Sequence, residues 1–557
     1  MARLDTKTAA RETHTRAAAS PGATHTLAGR SARPRRGITP QRAEVDSSAL
    51  SKPHQPTPVE PARPGRPFTD FAAVTPETPL DALNLDWRER DLPERARTKH
   101  VHRLHPYLGK FIPQLAEIFL RKFRPDTVCD PFAGSGTTLV EASALGIASI
   151  GVDISPFNCL IAKAKTDPYD LLRLADEIRD LLARTNALCT EGVGLSHGSG
   201  AASTPLPARR RGRGQAAFPE RRTPPHAFRR CGPSAHSAGS GQASSGSPRA
   251  ESRGGNPHPR ERQGEGQTQR LLSPPSCHPL PTSPCQGEAS ERHVLTTPSA
   301  SQYLLDWYHP QARAALLAFL QLIPNYHYQD LLKVILCRAA RSARLTTHFE
   351  LDFPRAPQRE PYYCHKHKRI CLPTTDAMKF LRRYALDTLR RVAQFAPIRT
   401  DAPVTILCAD SRQAALPPCD MILTSPPYVG LIDYHEQHRY AYELLSLLPE
   451  PFASIGWHDS NLKDNEEREI GAARKGKSVA ARRRYIEGIE GALGNVARHL
   501  RPGGRACIVA GDKYGLYEGL AERLGFREET VLQRTVNRRT GRRAGDFYES
   551  ILIWRRE

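Results

Sequence analysis

Two short runs hold the residue types from which chemistry can be built. The first is Asp130-Pro131-Phe132-Ala133-Gly134-Ser135-Gly136-Thr137-Thr138. A glycine-rich turn between a strand and a helix lets a ligand approach the backbone, and it presents unpaired helix N-terminal N–H groups to that ligand. The spacing is G-x-G without a third glycine, and no G-K-[ST] accompanies it, so a P-loop is excluded. Asp153 closes the next apolar segment, where a carboxylate can accept both hydroxyls of a ribose. The combination points to an adenosine-containing ligand; the plainer alternative is a tight turn followed by an exposed acid. The second run is Thr424-Ser425-Pro426-Pro427-Tyr428. Two consecutive prolines cannot continue a central strand, but they fix a carbonyl-lined turn. With Ser425 Oγ, the Pro426 carbonyl and the Tyr428 ring, that turn suits a planar base bearing an exocyclic amine.

These runs need elements to hold them. Ile112 to Phe123 has apolar residues at helical spacing, ended by Pro125-Asp126. Thr127 to Asp130 is a short buried strand, Thr137 to Leu145 a helix closed by Gly146, and Ala148 to Asp153 a second strand. This is a β-α-β unit, which requires parallel pairing and a right-handed crossover. Residues 156–186 read as helical, as do Tyr303–Leu322, Tyr328–Leu345, Asp376–Phe395 and Tyr485–Leu500. Val404–Asp410, Asp420–Ser425 and Arg505–Gly511 read as strands, and Glu529–Val536 with Tyr548–Arg555 as a closing antiparallel pair. The second chemical run therefore also stands at the end of an apolar strand, on the edge where open α/β sheets bind ligands.

Composition sets the outer limits. Of 48 prolines in 557 residues, 26 fall in residues 1–80 and 201–300, which are also poor in aromatic and β-branched side chains. Such segments cannot bury enough apolar surface to offset their ordering entropy. No apolar run approaches the roughly 18 residues of a membrane span, and no secretory h-region follows the first charges. The Arg- and Ala-rich start resembles a transit peptide in composition, but Asp5 and Glu12 argue against one. Twelve cysteines are too few for a disulfide scaffold, so a reducing cytoplasm of bacterial or archaeal type is expected. Lys plus Arg exceeds Asp plus Glu by 22, and half of that excess lies outside residues 1–85 and 187–300. A polyanionic partner, most simply nucleic acid, is the first reading of such a balance.

The run Asp130–Thr138 resembles the cofactor motif of amino-group DNA methyltransferases that use S-adenosylmethionine, and Thr424–Tyr428 resembles their catalytic motif. His105-Pro106-Tyr107-Leu108-Gly109-Lys110-Phe111-Ile112-Pro113 is similar to the family's helix-leading motif, and Leu500-Arg501-Pro502-Gly503-Gly504 to the turn before its fifth strand. The resemblance implies a class I, Rossmann-like α/β fold. Its seven-stranded sheet would be mostly parallel with an antiparallel last strand, with helices on both faces, a helical insertion and long disordered segments. The implied organisation is a disordered basic leader (1–85), a cofactor-binding half (86–186), a disordered low-complexity insertion (187–300), a helical insertion for target recognition (301–400) and a catalytic half (401–557).

The resemblance also assigns roles. Phe132, Gly134 and Gly136 would line the cofactor, with Asp130 near its amino-acid end, Asp153 on the ribose and Asp410 beside the adenine. Lys110 and Pro113 would pack over the methionine end. Ser425, Pro426, Pro427 and Tyr428 would hold a base flipped out of double-stranded DNA. Hydrogen bonds to Ser425 Oγ and the Pro426 carbonyl would favour a more tetrahedral amine nitrogen and in-line attack, with no covalent intermediate and no metal. Serine in the first position favours cytosine N4; the terminal tyrosine leaves adenine N6 open. A cognate restriction endonuclease is a candidate partner. The rivals are an RNA base methyltransferase and an inactive nucleic-acid-binding module of the same fold.

Three further features of the sequence carry reactive or basic residues. Pro284-Cys285-Gln286-Gly287 imitates the nucleophile motif of cytosine C5 enzymes, but it lies in low-complexity sequence with no strand before it. Cys364 to Cys371 contains C-x2-H-x3-C, which Cys337 or His348 would complete to four zinc ligands. The irregular spacing favours a basic loop contacting phosphates through Lys366, Lys368 and Arg369, or plain solvated surface, and no metal is expected. Lys475 and Lys477 are weaker candidates for phosphate contact, with a solvated helix face the alternative. Asp433, Tyr434, His438 and Arg439 follow the diproline turn closely; packing and capping of the next helix is the preferred role for most of them, and contact with the flipped base or DNA, for which Arg439 is a weak candidate, is the alternative.

Overall fold

Side chains alternate across a strand, and here that alternation separates two cores. The strands are β1 (Thr127–Asp130), β2 (Ala148–Asp153), β3 (Tyr362–Cys364), β4 (Arg369–Cys371), β5 (Val404–Cys408), β6 (Cys419–Thr424), β7 (Leu500–Ala510), β8 (Phe526–Val536) and β9 (Phe547–Arg556). Val128, Met421, Leu423, Cys507, Val509, Ile551 and Ile553 pack with Leu115, Ile118 and Phe119 of the helix Pro113–Phe123. Their sequence neighbours Cys129, Ile422, Ala506, Ile508, Leu552 and Trp554 pack with Ile489, Leu493 and Val496 of the helix Val479–His499. Both faces of the sheet are thus covered, which is why these strands read as unbroken apolar runs. The computed structural model describes residues 67–87, 91–109, 111–194, 301–352, 354–457, 462–536 and 547–557.

The large sheet has seven strands in the order β5-β2-β1-β6-β7-β9-β8. From β5 to β7 all pairings are parallel, and β9 runs antiparallel to both β7 and β8. This is the class I methyltransferase arrangement anticipated above. β1 pairs with β2 on one side and β6 on the other, so the connections depart in opposite directions at β1. Such a switch point opens a crevice at the carboxyl ends of the strands. Asp130, Asp153 and Thr424 end their strands there.

The structure corrects several boundaries. Ordered contacts begin before Asp86: Val74 and Leu85 are buried in the sheet core, and Asp86 Oδ1 accepts a 2.6 Å hydrogen bond from the Thr535 amide. Averaging composition over a proline-rich stretch concealed these few anchors. Residues 156–186 form two helices, Pro156–Thr166 and Leu171–Gly194, separated around Pro168, and the second outruns the expected end. The remainder of the leader (1–66) and of the low-complexity insertion (195–300) lies outside the described residues.

The helices of residues 301–400 are packed into the main core. The helices Pro310–Leu322, Gln329–Ala343 and Met378–Phe395 share one apolar cluster with Pro156–Thr166, Leu171–Gly194 and Arg439–Leu445. Tyr440 and Leu444, from the catalytic half, are buried in that cluster. The part of 301–400 left at the surface includes the small antiparallel hairpin β3–β4, which pairs Tyr362 with Cys371 and Cys364 with Arg369. No helix among the described residues is long and apolar enough to cross a membrane.

Candidate active site

The turn after β1 is organised by Asp130. Its buried carboxylate accepts from the Phe132 amide (3.1 Å), Thr138 Oγ1 (2.7 Å) and Thr424 Oγ1 (2.6 Å). Burial pushes the carboxyl up to about 6, against the pull of these three donors. Asp130 lies behind the cavity wall, where it ties β1, the following helix and β6 together. Its neighbours Pro131 and Phe132 line the cavity that it supports from behind.

The two glycines of the turn have different duties. Gly134 lines the cavity at φ +50°, and a Cβ there would stand 2.8 Å from Tyr107 Oη. Its amide donates to Asp153 Oδ2 at 2.9 Å. Gly136, at φ +77°, is not in the cavity wall. A Cβ on it would come within 2.9 Å of Ala162 Cβ, so it permits close packing of the helices Thr137–Ala144 and Pro156–Thr166. Asp153 Oδ1 accepts from the Ser155 amide (2.8 Å) and Asn158 Nδ2 (3.1 Å). Burial raises the Asp153 carboxyl while these donors oppose it.

The cleft above these residues is open at its mouth and spans about 790 Å³, solvent space included. Phe132, Gly134, Asp153 and Asp410 line it, and so do Ser425 and Pro427 from the second run. The two chemical runs therefore share one cavity. Asp410 is held by Arg412, with Nε 2.8 Å from Oδ1 and Nη2 2.5 Å from Oδ2. Burial would raise its carboxyl, but the hydrogen bonds from Arg412 hold it below the ordinary value.

Other expected residues stand elsewhere. Pro113 is buried in the first turn of its helix, and Phe111 lines the cleft in its stead. Lys110 lies outside the described residues. Pro426 is buried behind Ser425 and Pro427. Tyr428 is outside the cleft lining; its hydroxyl donates to Glu549 Oε1 at 2.8 Å, and Glu549 pairs with Arg534 across β8 and β9 at 3.0 Å. Burial, then the Glu549 charge, raises the Tyr428 phenol well above its usual range.

Tyr107 and Glu469 line the cleft without having been expected there, and Tyr434, for which packing was the preferred role, lines it too. Tyr107 and Tyr434 stack with ring centroids 5.4 Å apart, and both phenols are raised by burial. Glu469 Oε1 accepts from the Tyr434 amide (2.8 Å) and Oε2 contacts His435 Nδ1 (2.9 Å). Tyr107 was visible inside the helix-leading motif, whereas nothing local marks Glu469.

The candidate DNA contacts divide similarly. Lys366, Lys368 and Arg369 are exposed on the β3–β4 hairpin. Lys477 is exposed beside the catalytic turn; a Cβ on Gly430 would touch its stem at 2.6 Å. Arg439 instead pairs with Glu443 (3.1 Å) and lies over the Tyr303 ring, the packing role. Lys475 donates to the carbonyls of Glu467 and Glu469, both at 2.6 Å, and so caps the helix Leu462–Arg468.

Comparison with known proteins adds independent findings. The N6/N4 methyltransferase family, described as DNA methylase, matches residues 113–164. The type II methyltransferase M.MjaII of Methanocaldococcus jannaschii is 33% identical over 483 residues, covering 83% of this chain and 81% of the relative. M.MvaI of Kocuria varians is 42% identical over 86 residues, 14% of this chain and 19% of its own length. M.BsoBI of Geobacillus stearothermophilus is 36% identical over 73 residues, 13% and 14% of the two chains.

Proposed function

Since this chain belongs to the amino-group DNA methyltransferases of type II, which take their methyl group from S-adenosylmethionine, we propose that it methylates cytosine at N4 within a specific site of double-stranded DNA. The observation that carries this reading is the shared cleft: Ser425 and Pro427 lie on the same cavity as Gly134 and Asp153. Those residues suit the methyl donor. Gly134 leaves room that a side chain would fill, Asp153 offers carboxylate lone pairs beyond its three donors, and Phe132 and Tyr107 supply apolar wall. When bound, the donor supplies an electrophilic methyl on a sulfonium.

The chain's own residues supply position. Ser425 Oγ, on the cleft wall, accepts an amine proton of the flipped base, and the Pro426 carbonyl, buried behind it, would have to turn toward the base to accept the second; together they localise the nitrogen lone pair for in-line attack. Tyr428, held by Glu549, fixes the edge of the base pocket. Lys366, Lys368, Arg369 and Lys477 are exposed cations placed to meet phosphates. Serine at position 425, where the family's adenine enzymes more often carry Asp or Asn, supports cytosine over adenine. As a type II modification enzyme the protein would protect sites from a cognate endonuclease.

The test is mass analysis of nucleosides after incubating unmethylated plasmid DNA with protein and methyl donor. N4-methylcytosine is expected. N6-methyladenine would replace the base assignment while keeping the family. Methylation of RNA in preference to DNA would overturn the substrate assignment.

A further inference from the structure

We propose that His348, Cys364, His367 and Cys371 form a structural zinc site. Their ligand atoms all lie within 4.8 Å of one another. Cys364 Sγ is 3.6 Å from His348 Nδ1 and 3.6 Å from His367 Nδ1, and His367 Nδ1 is 3.4 Å from Cys371 Sγ. In a tetrahedral site, Zn–S bonds of about 2.3 Å and Zn–N bonds of about 2.0–2.1 Å set each S···N edge at ~3.6 Å. The three observed edges match that figure.

Hydrogen bonding among the four side chains accounts for the cluster poorly. One imidazole nitrogen carries one lone pair or one proton in the ring plane. His367 Nδ1 nonetheless faces two sulfurs, and Cys364 Sγ faces two ring nitrogens. A single cation at their common centre satisfies all of these directions. Two thiolates with two imidazoles are a donor set suited to zinc. One competitor is present: the Tyr362 hydroxyl stands 2.8 Å from His348 Nδ1. Metal binding releases that contact, and the hydroxyl keeps the His348 amide at 3.1 Å.

The fold decides which fourth ligand serves. Cys337 is buried in the helical core and is absent from the cluster, whereas His348 arrives from the loop after the helix Gln329–Ala343. The site also meets a structural need. β3 and β4 have three residues each, and Tyr363, Ile370 and Leu372 are exposed, so the hairpin has almost no core. A two-stranded hairpin of this size is marginal in water without a staple. Zinc would fix it to the His348 loop and hold Lys366, Lys368 and Arg369 on a rigid tip. The reading is independent of which base is methylated.

The test uses the full-length, untagged protein purified without chelator. About one equivalent of zinc is expected by atomic emission. After stripping, Co²⁺ should bind with the visible bands of a tetrahedral site and a thiolate charge-transfer band. Cys364→Ser should abolish that charge-transfer band or halve it. His348→Ala and His367→Ala, at exposed positions, should weaken metal affinity at least about tenfold, and Lys366→Ala should leave it unchanged. Absence of tetrahedral cobalt uptake would overturn the proposal. So would uptake that survives all three ligand substitutions, because the metal would then be held elsewhere.

Discussion

Thr424 Oγ1 donates a 2.6 Å hydrogen bond to the carboxylate of Asp130, 294 residues away in the chain. Thr424 is the last residue of β6 and immediately precedes Ser425, while Asp130 ends β1 and begins the glycine turn. This buried contact joins the two halves of the active site at the ends of the paired strands β1 and β6. Thr424→Val keeps the shape but leaves Asp130 short of a donor. It should cost about 1–3 kcal/mol of stability and reduce kcat more than Thr424→Ser does. Urea unfolding and single-turnover methylation of both variants check this; equal kinetics for the two would show that the contact holds the fold only.

Gly134 and Gly136 should fail differently when changed to alanine. Both sit at positive φ, where a side chain costs on the order of 1–3 kcal/mol. At 134 the new methyl meets the Tyr107 hydroxyl at 2.8 Å on the cavity wall, so S-adenosylmethionine affinity should fall. At 136 it meets the Ala162 backbone at 3.1 Å, so the thermal midpoint should fall while affinity at low temperature holds. Calorimetric titration beside thermal unfolding separates the two patterns.

Tyr428→Ala should lower kcat/KM for DNA by roughly 5- to 150-fold, the equivalent of the ~1–3 kcal/mol that a base–aromatic contact is worth. The dissociation constant for S-adenosylmethionine should not move. Glu549→Gln keeps an acceptor for the Tyr428 hydroxyl and should be mild; Glu549→Ala releases the ring and should approach the Tyr428→Ala value. If Glu549→Ala leaves kcat/KM untouched, the tether from β9 has no part in positioning.

Acid should destabilise the protein through its buried histidines. Burial, followed by neighbouring positive charge, drives the His100 and His438 imidazoles down to about 3, against 6.5 in an unfolded chain. For a base with a depressed folded pKa, the unfolded state binds the proton first, so stability is lost as pH falls below 6.5. Asp130 works in the opposite direction: its carboxyl is raised from 3.8 to about 6, so its contribution improves as pH falls through 6. Burial also depresses His105 and raises Asp153 and Glu141, and the larger displacements of the three histidines leave a net loss as pH falls below 6.5. His438→Phe should flatten that slope in urea unfolding at stepped pH; an unchanged slope would mean that His438 takes up its proton without unfolding.

Local pattern determined much of this protein. Unbroken apolar strands, the Gly134 turn, the acid ending β2 and the diproline corner are short-range features, and each carries its geometry in its own residues. They sufficed for the β-α-β unit, the sheet class and the family. Only the tertiary structure could decide which of those residues face a ligand. Asp130 and Gly136 carry the motif yet serve packing, because β6 and the helix Pro156–Thr166 close over them. Glu469 enters the cleft through Tyr434 and His435, with no pattern in its own neighbourhood to announce it. His348 rather than Cys337 joins the Cys364–Cys371 hairpin because a helix buries one and a loop delivers the other. Contacts between residues so far apart in sequence follow from strand order and helix packing, and those are properties of the whole chain rather than of any window along it.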